Sequence, residues 1–150
     1  MRVVLQRVSE ASVTVNGEVV GSIAKGLLIL VGFEEADADN DIDWMVNKLC
    51  SLRVFDDNDG VMNLSITEVG GEFLVVSQFT LHAKTKKGNR PSYIKAARPE
   101  VAIPLYHQLI DKLRRQSQLT VNEGIFGAKM LVDLKNDGPV TLIIDTKNKD

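Results

Sequence analysis

Residues 3–8 are rich in valine and leucine, and over 11–15 apolar and polar residues alternate with the period of two of a half-buried strand, so both stretches predict β-strands. Asn16-Gly17 is a strong two-residue hairpin signal, and residues 18–23 return from it as a further strand. Residues 27–33 have no polar face and predict a central strand covered on both sides. An acidic stretch, 34–43, leads into a helix. There Ile42, Met45, Val46 and Leu49 recur at helical spacing, and the preceding aspartates suit a helix amino terminus. Arg53-Val54-Phe55 precedes the turn Asp56-Asp57-Asn58-Asp59-Gly60. Aligning Gly60 with the invariant glycine of an EF-hand loop puts Phe55 and Ile66 where carboxylates belong, so this stretch reads as a surface turn. A strand over 72–78 follows Gly70-Gly71. Pro99 then opens a second long helix with the apolar stripe Ala102, Leu105, Tyr106, Leu109, Ile110 and Leu113. Lys112, Arg114 and Arg115 sit favourably near its carboxyl end. Strands over 119–122, 130–134 and 140–145 complete the pattern, and residues from Lys147 onward read as a polar tail. The order predicts an α+β fold: a largely antiparallel sheet or split β-barrel with two long helices packed on it, in a single domain spanning 1–150.

At 150 residues and 44% hydrophobic content, the chain is long enough for one substantial core. A formal net charge of -2 argues against a general polyanion binder, but the charge is unevenly placed. Residues 82–98 hold six basic side chains (Lys84, Lys86, Lys87, Arg90, Lys95, Arg98) and no acidic one. Such a cluster is ordinarily a solvated loop. The lack of any acid directly after a hydroxyl-rich strand end favours phosphate contact. The lone cysteine, Cys50, falls on the apolar face of the first helix and reads as a core residue; a chain without a disulfide framework suits a reducing cytoplasm. The first residues read as a strand and not as a signal peptide. The longest apolar run, 27–31, is far too short to span a bilayer, so a soluble cytoplasmic protein is expected.

Three short segments carry candidate chemistry. Ser77-Gln78-Phe79-Thr80-Leu81 closes the apolar run 73–76 with hydroxyls and an amide where a strand should end. Asn136-Asp137-Gly138-Pro139-Val140-Thr141 reads as a tight turn between two strands, able to aim backbone carbonyls at a ligand. Gly124-Ile125-Phe126-Gly127-Ala128-Lys129-Met130 lets backbone approach closely, with Phe126 and Met130 able to wall an apolar cavity. Taken alone, that third segment also reads as a bulged edge running into a core strand. No phosphate loop, dinucleotide fingerprint or Ser-His-Asp arrangement occurs. His82 and His107 cannot by themselves supply a metal cluster, so no metal or cofactor is expected. Hydroxyl and backbone chemistry remain. Thr80 reads as a nucleophile or water-positioning group with Ser77 and Gln78 as partners. It also reads as an ordinary strand threonine, since no base nearby in sequence activates its hydroxyl. Backbone amides around Phe79 and Thr80 are an alternative, as donors to an oxyanion.

In order and spacing these segments resemble the D-aminoacyl-tRNA deacylases, and the resemblance runs nearly end to end. It is carried by Met1-Arg2-Val3-Val4-Leu5-Gln6-Arg7-Val8, Met62-Asn63-Leu64-Ser65, Gly88-Asn89-Arg90-Pro91-Ser92 and the segments 77–81, 124–130 and 136–141. Tyr93 stands where phenylalanine is expected. The resemblance implies a homodimer with active sites at its interface, hydrolysing the ester that joins a D-amino acid to the terminal adenosine of tRNA, with glycyl-tRNA as a further substrate class. It implies that Gly138-Pro139 is cis and enters the partner's pocket, and that Arg7 helps to hold that turn. By the same resemblance Thr80, Gln78, Phe79 and Ser77 form the catalytic group, while Phe126, Gly127, Ala128 and Met130 line the pocket. Lys84, Lys86, Lys87 and Arg90 would meet tRNA phosphates; the expected partner is RNA, with no DNA and no membrane.

A D- and an L-residue differ only in where hydrogen and Cβ sit on one carbon. Rigid carbonyls of Gly138 and Pro139 can bind the ammonium and crowd the position of an L side chain, which makes recognition strict for handedness and blind to identity. Glycine, with no Cβ, should pass. Because Thr80 lacks an activating base, the expected chemistry has the 2′-hydroxyl of the substrate ribose assisting water, with the Phe79 and Thr80 amides on the oxyanion. Two rivals stand beside this reading: an RNA-binding module without hydrolytic activity, and a threonine-dependent hydrolase of small esters or amides.

Overall fold

The computed structural model describes residues 1–150. Its longest strands are the first and the last. Strand β1 (Arg2–Val15) pairs antiparallel along one edge with β3 (Gly26–Gly32) and, further on, with β2 (Glu18–Ile23). Along its other edge runs β8 (Leu131–Asp145), also antiparallel. β3 continues the sheet through a parallel pairing with β6 (Glu72–Ser77), and β6 pairs in parallel with β7 (Val121–Glu123). The side-chain amide of Asn122 in β7 donates to the Ser22 carbonyl of β2 at 2.7 Å, so the two ends of the sheet meet and the barrel is nearly closed.

Parallel neighbours need long crossovers, usually helical. The first crossover holds α1 (Asp39–Ser51), the small hairpin of β4 (Phe55–Asp56) and β5 (Met62–Leu64), and the one-turn α2 (Ile66–Val69). The second holds a 3₁₀ turn (Phe79–His82), the basic loop and α3 (Pro99–Ser117). Four of the six ladders are antiparallel, as the order of elements predicts; the other two, β3–β6 and β6–β7, are parallel and share β6, whose four central residues are all buried.

The two-sided apolar run of β3 now has its explanation. Leu27, Ile29 and Val31 face the helices, in one cluster with Ile42, Met45, Leu49, Tyr106, Leu109 and Leu113. Leu28 points the other way, into a smaller cluster inside the barrel with Val8, Val13, Ile23, Leu74 and Val76. Tyr106 crosses between layers, donating its buried hydroxyl to the Val75 carbonyl at 3.1 Å. No helix of the structure is long and apolar enough to cross a membrane.

Four details differ from the sequence pattern. Residues 3–8 and 11–15 belong to one strand. So do the two predicted strands on either side of residues 136–141, which form no hairpin. Between the pairs Gln6–Thr141 and Val8–Asn136, β1 advances two residues while β8 advances five, so the intervening residues bulge out of a strand that continues. Helix α2 was not signalled by periodicity. Ser65 caps it, its hydroxyl accepting from the Glu68 amide at 3.3 Å while the Glu68 carboxylate accepts from the Ser65 amide at 2.7 Å. Finally, Lys147 is no free tail: its ammonium reaches both oxygens of the buried Asp41 at 2.9 Å.

Burial opposes ionisation of Asp41, but hydrogen bonds from Lys147, Thr146 and the Ala38 amide outweigh it and hold its carboxyl down at about 2. A carboxyl lowered from 3.8 on folding stabilises the protein above that value and stops doing so as pH falls towards 2. Chemical denaturation between pH 5 and pH 2 should therefore show a loss at this site of about 1 kcal/mol, allowing for solvent around the half-exposed lysine. The loss should be absent from Asp41→Asn.

Candidate active site

β6 ends at Ser77, and one further bond, from the Gln78 amide to the Val31 carbonyl at 2.7 Å, holds the chain against β3 before it turns. The turn lies directly on Gly32. A Cβ there would press on the Gln78 carbonyl at 2.7 Å and on the His82 ring at 3.0 Å, so only glycine permits this approach. The Leu81 amide closes the 3₁₀ turn onto the Gln78 carbonyl at 3.2 Å, and Arg2, itself tied to Asp145, donates to the Leu81 carbonyl at 2.7 Å. The first amides of such a turn have no acceptor within it. Those of Phe79 and Thr80 accordingly find none in the chain.

Above this turn opens a cleft of about 580 Å³, mostly apolar in its lining. Ser77, Gln78 and Phe79 form one side. The segment 126–130 forms another: the Ala128 amide bonds the Ile125 carbonyl at 3.1 Å, making a turn that presents Phe126, Gly127, Ala128 and Met130 to the cavity. Phe126 packs edge-on against the core ring of Tyr106, with centroids 5.4 Å apart. The third side, which sequence reasoning missed, comes from Tyr93, Arg98, Pro99 and Ala102, where the basic loop runs into α3. Pro99 as a helix start was visible in the sequence; that this start faces a cleft was not.

The basic loop is pinned at its neck, where Lys84 and Ser92 exchange backbone hydrogen bonds of 2.8 and 3.0 Å. Lys84, Lys86, Lys87 and Arg90 are all exposed. None makes an ion pair within the chain.

The Gly138-Pro139 segment lies elsewhere. Neither residue lines the cleft, and both are exposed. The Gly138-Pro139 peptide is cis, and Gly138 has φ +129. Beneath the bulge lies the guanidinium of Arg7, a side chain only 6% exposed. It donates to the Asp137 carbonyl at 2.9 Å, to the Val54 carbonyl at 2.7 Å and to Asp56 Oδ1 at 3.2 Å. A Cβ at Gly138 would collide with this guanidinium, and the positive φ disfavours it further. Asn136 spans the neck of the bulge, its amide donating to the Arg7 and Val140 carbonyls at 3.0 and 3.1 Å.

A family model described as D-Tyr-tRNA(Tyr) deacylase matches residues 4–145. The chain belongs to this deacylase family. Its relatives include proteins named D-aminoacyl-tRNA deacylase from Bacteroides thetaiotaomicron, 61% identical, and from Flavobacterium psychrophilum, 58% identical, each aligned over 100% of both chains. A solved structure described as c-Myc DNA Unwinding Element Binding Protein superposes with a TM-score of 0.90 at 39% identity, covering 97% of this chain and 98% of that one.

Within this deacylase-family chain the conventional nucleophiles are poorly equipped. Burial pushes the Cys50 thiol up to about 11. Thr80 does not line the cleft, and its hydroxyl oxygen accepts from the Gln78 side-chain amide at 2.5 Å. No imidazole or carboxylate hydrogen-bonds to it. His82 is buried, with Nδ1 3.3 Å from Glu34 Oε1 and Nε2 without a partner. His107 is exposed on α3, away from the cleft. None of these groups therefore offers the cleft an activated side-chain nucleophile.

Arg7→Ala removes a buried cation from two carbonyls and should lower the unfolding free energy by about 2–3 kcal/mol in urea titrations. Arg7→Lys should recover only part of this, because an ammonium cannot reproduce the planar fork.

Proposed function

We propose that this chain hydrolyses the ester of D-aminoacyl-tRNA and spares the L form, as a proofreading deacylase in the cytoplasm, acting from one domain over residues 1–150. The observation that carries the mechanism is the pair of unpaired amides, Phe79 and Thr80, on a rigid turn at the edge of an apolar cleft without an activated nucleophile. Water attacks the ester carbonyl, the two amides donate hydrogen bonds to the developing oxyanion, and the carbonyl–oxygen bond to the ribose breaks, its oxygen taking up a proton. The vicinal 2′-hydroxyl of the terminal ribose assists that attack. RNA is thereby the substrate and DNA is not. Gln78 orients Thr80 and, with Ser77, shapes the carbonyl's seat.

Handedness is read by the Gly138-Pro139 bulge of a second copy. Support comes from the bulge being exposed, braced from below by Arg7, and absent from the lining of its own chain's cleft. It sits on β8, which pairs only with β1 and leaves Leu131 at 68% and Ile143 at 70% exposure. An open strand edge carrying such residues favours a partner strand or surface. In the dimer each bulge enters the other chain's cleft, its carbonyls taking the substrate ammonium and excluding an L side chain. Glycyl-tRNA is admitted for want of a Cβ. Phe126, Gly127, Ala128 and Met130 wall the acyl group, and Lys84, Lys86, Lys87 and Arg90 hold tRNA phosphates.

Matched D- and L-tyrosyl-tRNA decide the matter. The D ester should be cleaved and the L ester spared, whereas a binding module releases nothing and a small-ester hydrolase cleaves free D-tyrosyl esters without tRNA. Thr80→Ala should stay within about tenfold of the parent rate, or about 1.4 kcal/mol of barrier. Complete loss in a folded, tRNA-binding variant would make the threonine hydroxyl the nucleophile. Joint replacement of Lys86, Lys87 and Arg90 by alanine should weaken tRNA binding and reduce the slope of log K against log salt by about 2; an unchanged slope would remove the loop from the interface.

A further inference from the structure

Tyr93 and Phe79 form an aromatic pair that core packing does not explain. Their rings meet edge-on with centroids 5.1 Å apart and planes at 76°. Both line the mouth of the cleft, yet Phe79 is 56% and Tyr93 39% exposed. Large aromatic surface left in water at the mouth of a cavity marks a place where a ligand covers it.

Tyr93 is also held still, although it lies in a connection between elements. On one side the Ser92–Lys84 backbone pair fixes the chain. On the other, the Ala96 amide returns to the Tyr93 carbonyl at 3.0 Å and the Ala97 amide reaches the Phe33 carbonyl at 2.8 Å. A ring seated this way loses little freedom when it binds a ligand. Its position is intermediate: Lys84, Lys86, Lys87 and Arg90 lie in the loop immediately before it, and the Phe79 and Thr80 amides lie just beyond the ring it touches.

We infer that Tyr93, seated on Phe79, is a stacking platform for a nucleobase of the single-stranded acceptor end of the substrate RNA. The inference rests on the deacylase reading and deepens it. A strand whose phosphates lie on the basic loop and whose acylated ribose lies at the 3₁₀ turn must pass the Tyr93 ring between them. Every base has a flat face, so stacking holds the RNA end whatever amino acid it carries. This matches a site that must ignore side-chain identity. The base is either the terminal one or its 5′ neighbour, and both offer the same chemistry to the ring.

The test uses an acceptor-stem RNA bearing amide-linked D-tyrosine, which is not cleaved, with 2-aminopurine at the terminal or the penultimate position. Binding to the parent protein should quench fluorescence at one of the two positions, which identifies the base. Tyr93→Ala should abolish that quench and raise Kd about tenfold, a loss in the range of base–aromatic stacking. Tyr93→Phe should restore both, while Tyr93→Leu, similar in apolar bulk but without a π face, should not. A quench that survives Tyr93→Ala, or a leucine variant equal to phenylalanine, would overturn the inference. So would a variant that lowers kcat on D-tyrosyl-tRNA with KM unchanged, since Tyr93 would then only brace Phe79. If the parent protein fails to cleave D-tyrosyl-tRNA, the deacylase reading fails instead, whatever the fluorescence shows.

Discussion

The parallel pairing of β3 with β6 positions everything else at the cleft. Both strands are buried on their two faces, and the pairing persists one bond past the end of β6, from Gln78 to Val31. Gly32 then lets the chain turn flat against β3 instead of drifting into solvent. Two amides emerge unpaired at a place set by the most deeply packed strands of the molecule, with α3 and the 126–130 turn built around them. Preorganised donors of this kind need little movement when charge develops on a substrate oxygen.

The proposed function assigns chemistry and recognition to different parts of the chain. On the proposed reading, backbone groups on rigid elements face the reacting atoms and, through the Gly138-Pro139 bulge, the stereocentre. In that reading side chains serve where specificity for an amino acid is not at stake: cations on the basic loop and aromatic rings at the rim. Arg7 belongs to neither group. Buried and shared among Asp137, Val54 and Asp56, it converts a protruding bulge into a fixed one. An enzyme that must accept many side chains but one handedness gains from this separation, because main-chain atoms offer the same contacts whatever residue is bound.

Much of this was legible in the chain. The two-sided apolar run of β3, the stripe of α3 and the Asn16-Gly17 hairpin each have a single local cause, and each element formed where its cause lies. The cleft-lining segments 77–79 and 126–130 were visible as polar or glycine-bearing interruptions of apolar strands. Residues 136–141 were misread as a turn between strands, because Asn, Asp, Gly and Pro carry the same local preferences in a bulge as in a hairpin. Only the long partner β1, running past on the far side, keeps the strand continuous. Tyr93, Arg98 and Pro99 were missed at the cleft for a related reason: nothing local to a helix start says which cavity it will face.

What the amino-acid order determined by itself was the identity of the elements, the apolar faces they must bury, and the places where backbone would be left exposed. These follow from periodicity, capping and turn chemistry, which act over a few residues. Which amides end up unpaired beside a cleft, and which bulge is braced by a buried guanidinium, was decided by contacts such as Arg7 with Asp137 and Gln78 with Val31, between residues far apart in the chain. Such contacts exist only after the sheet has closed, so no local pattern could encode them.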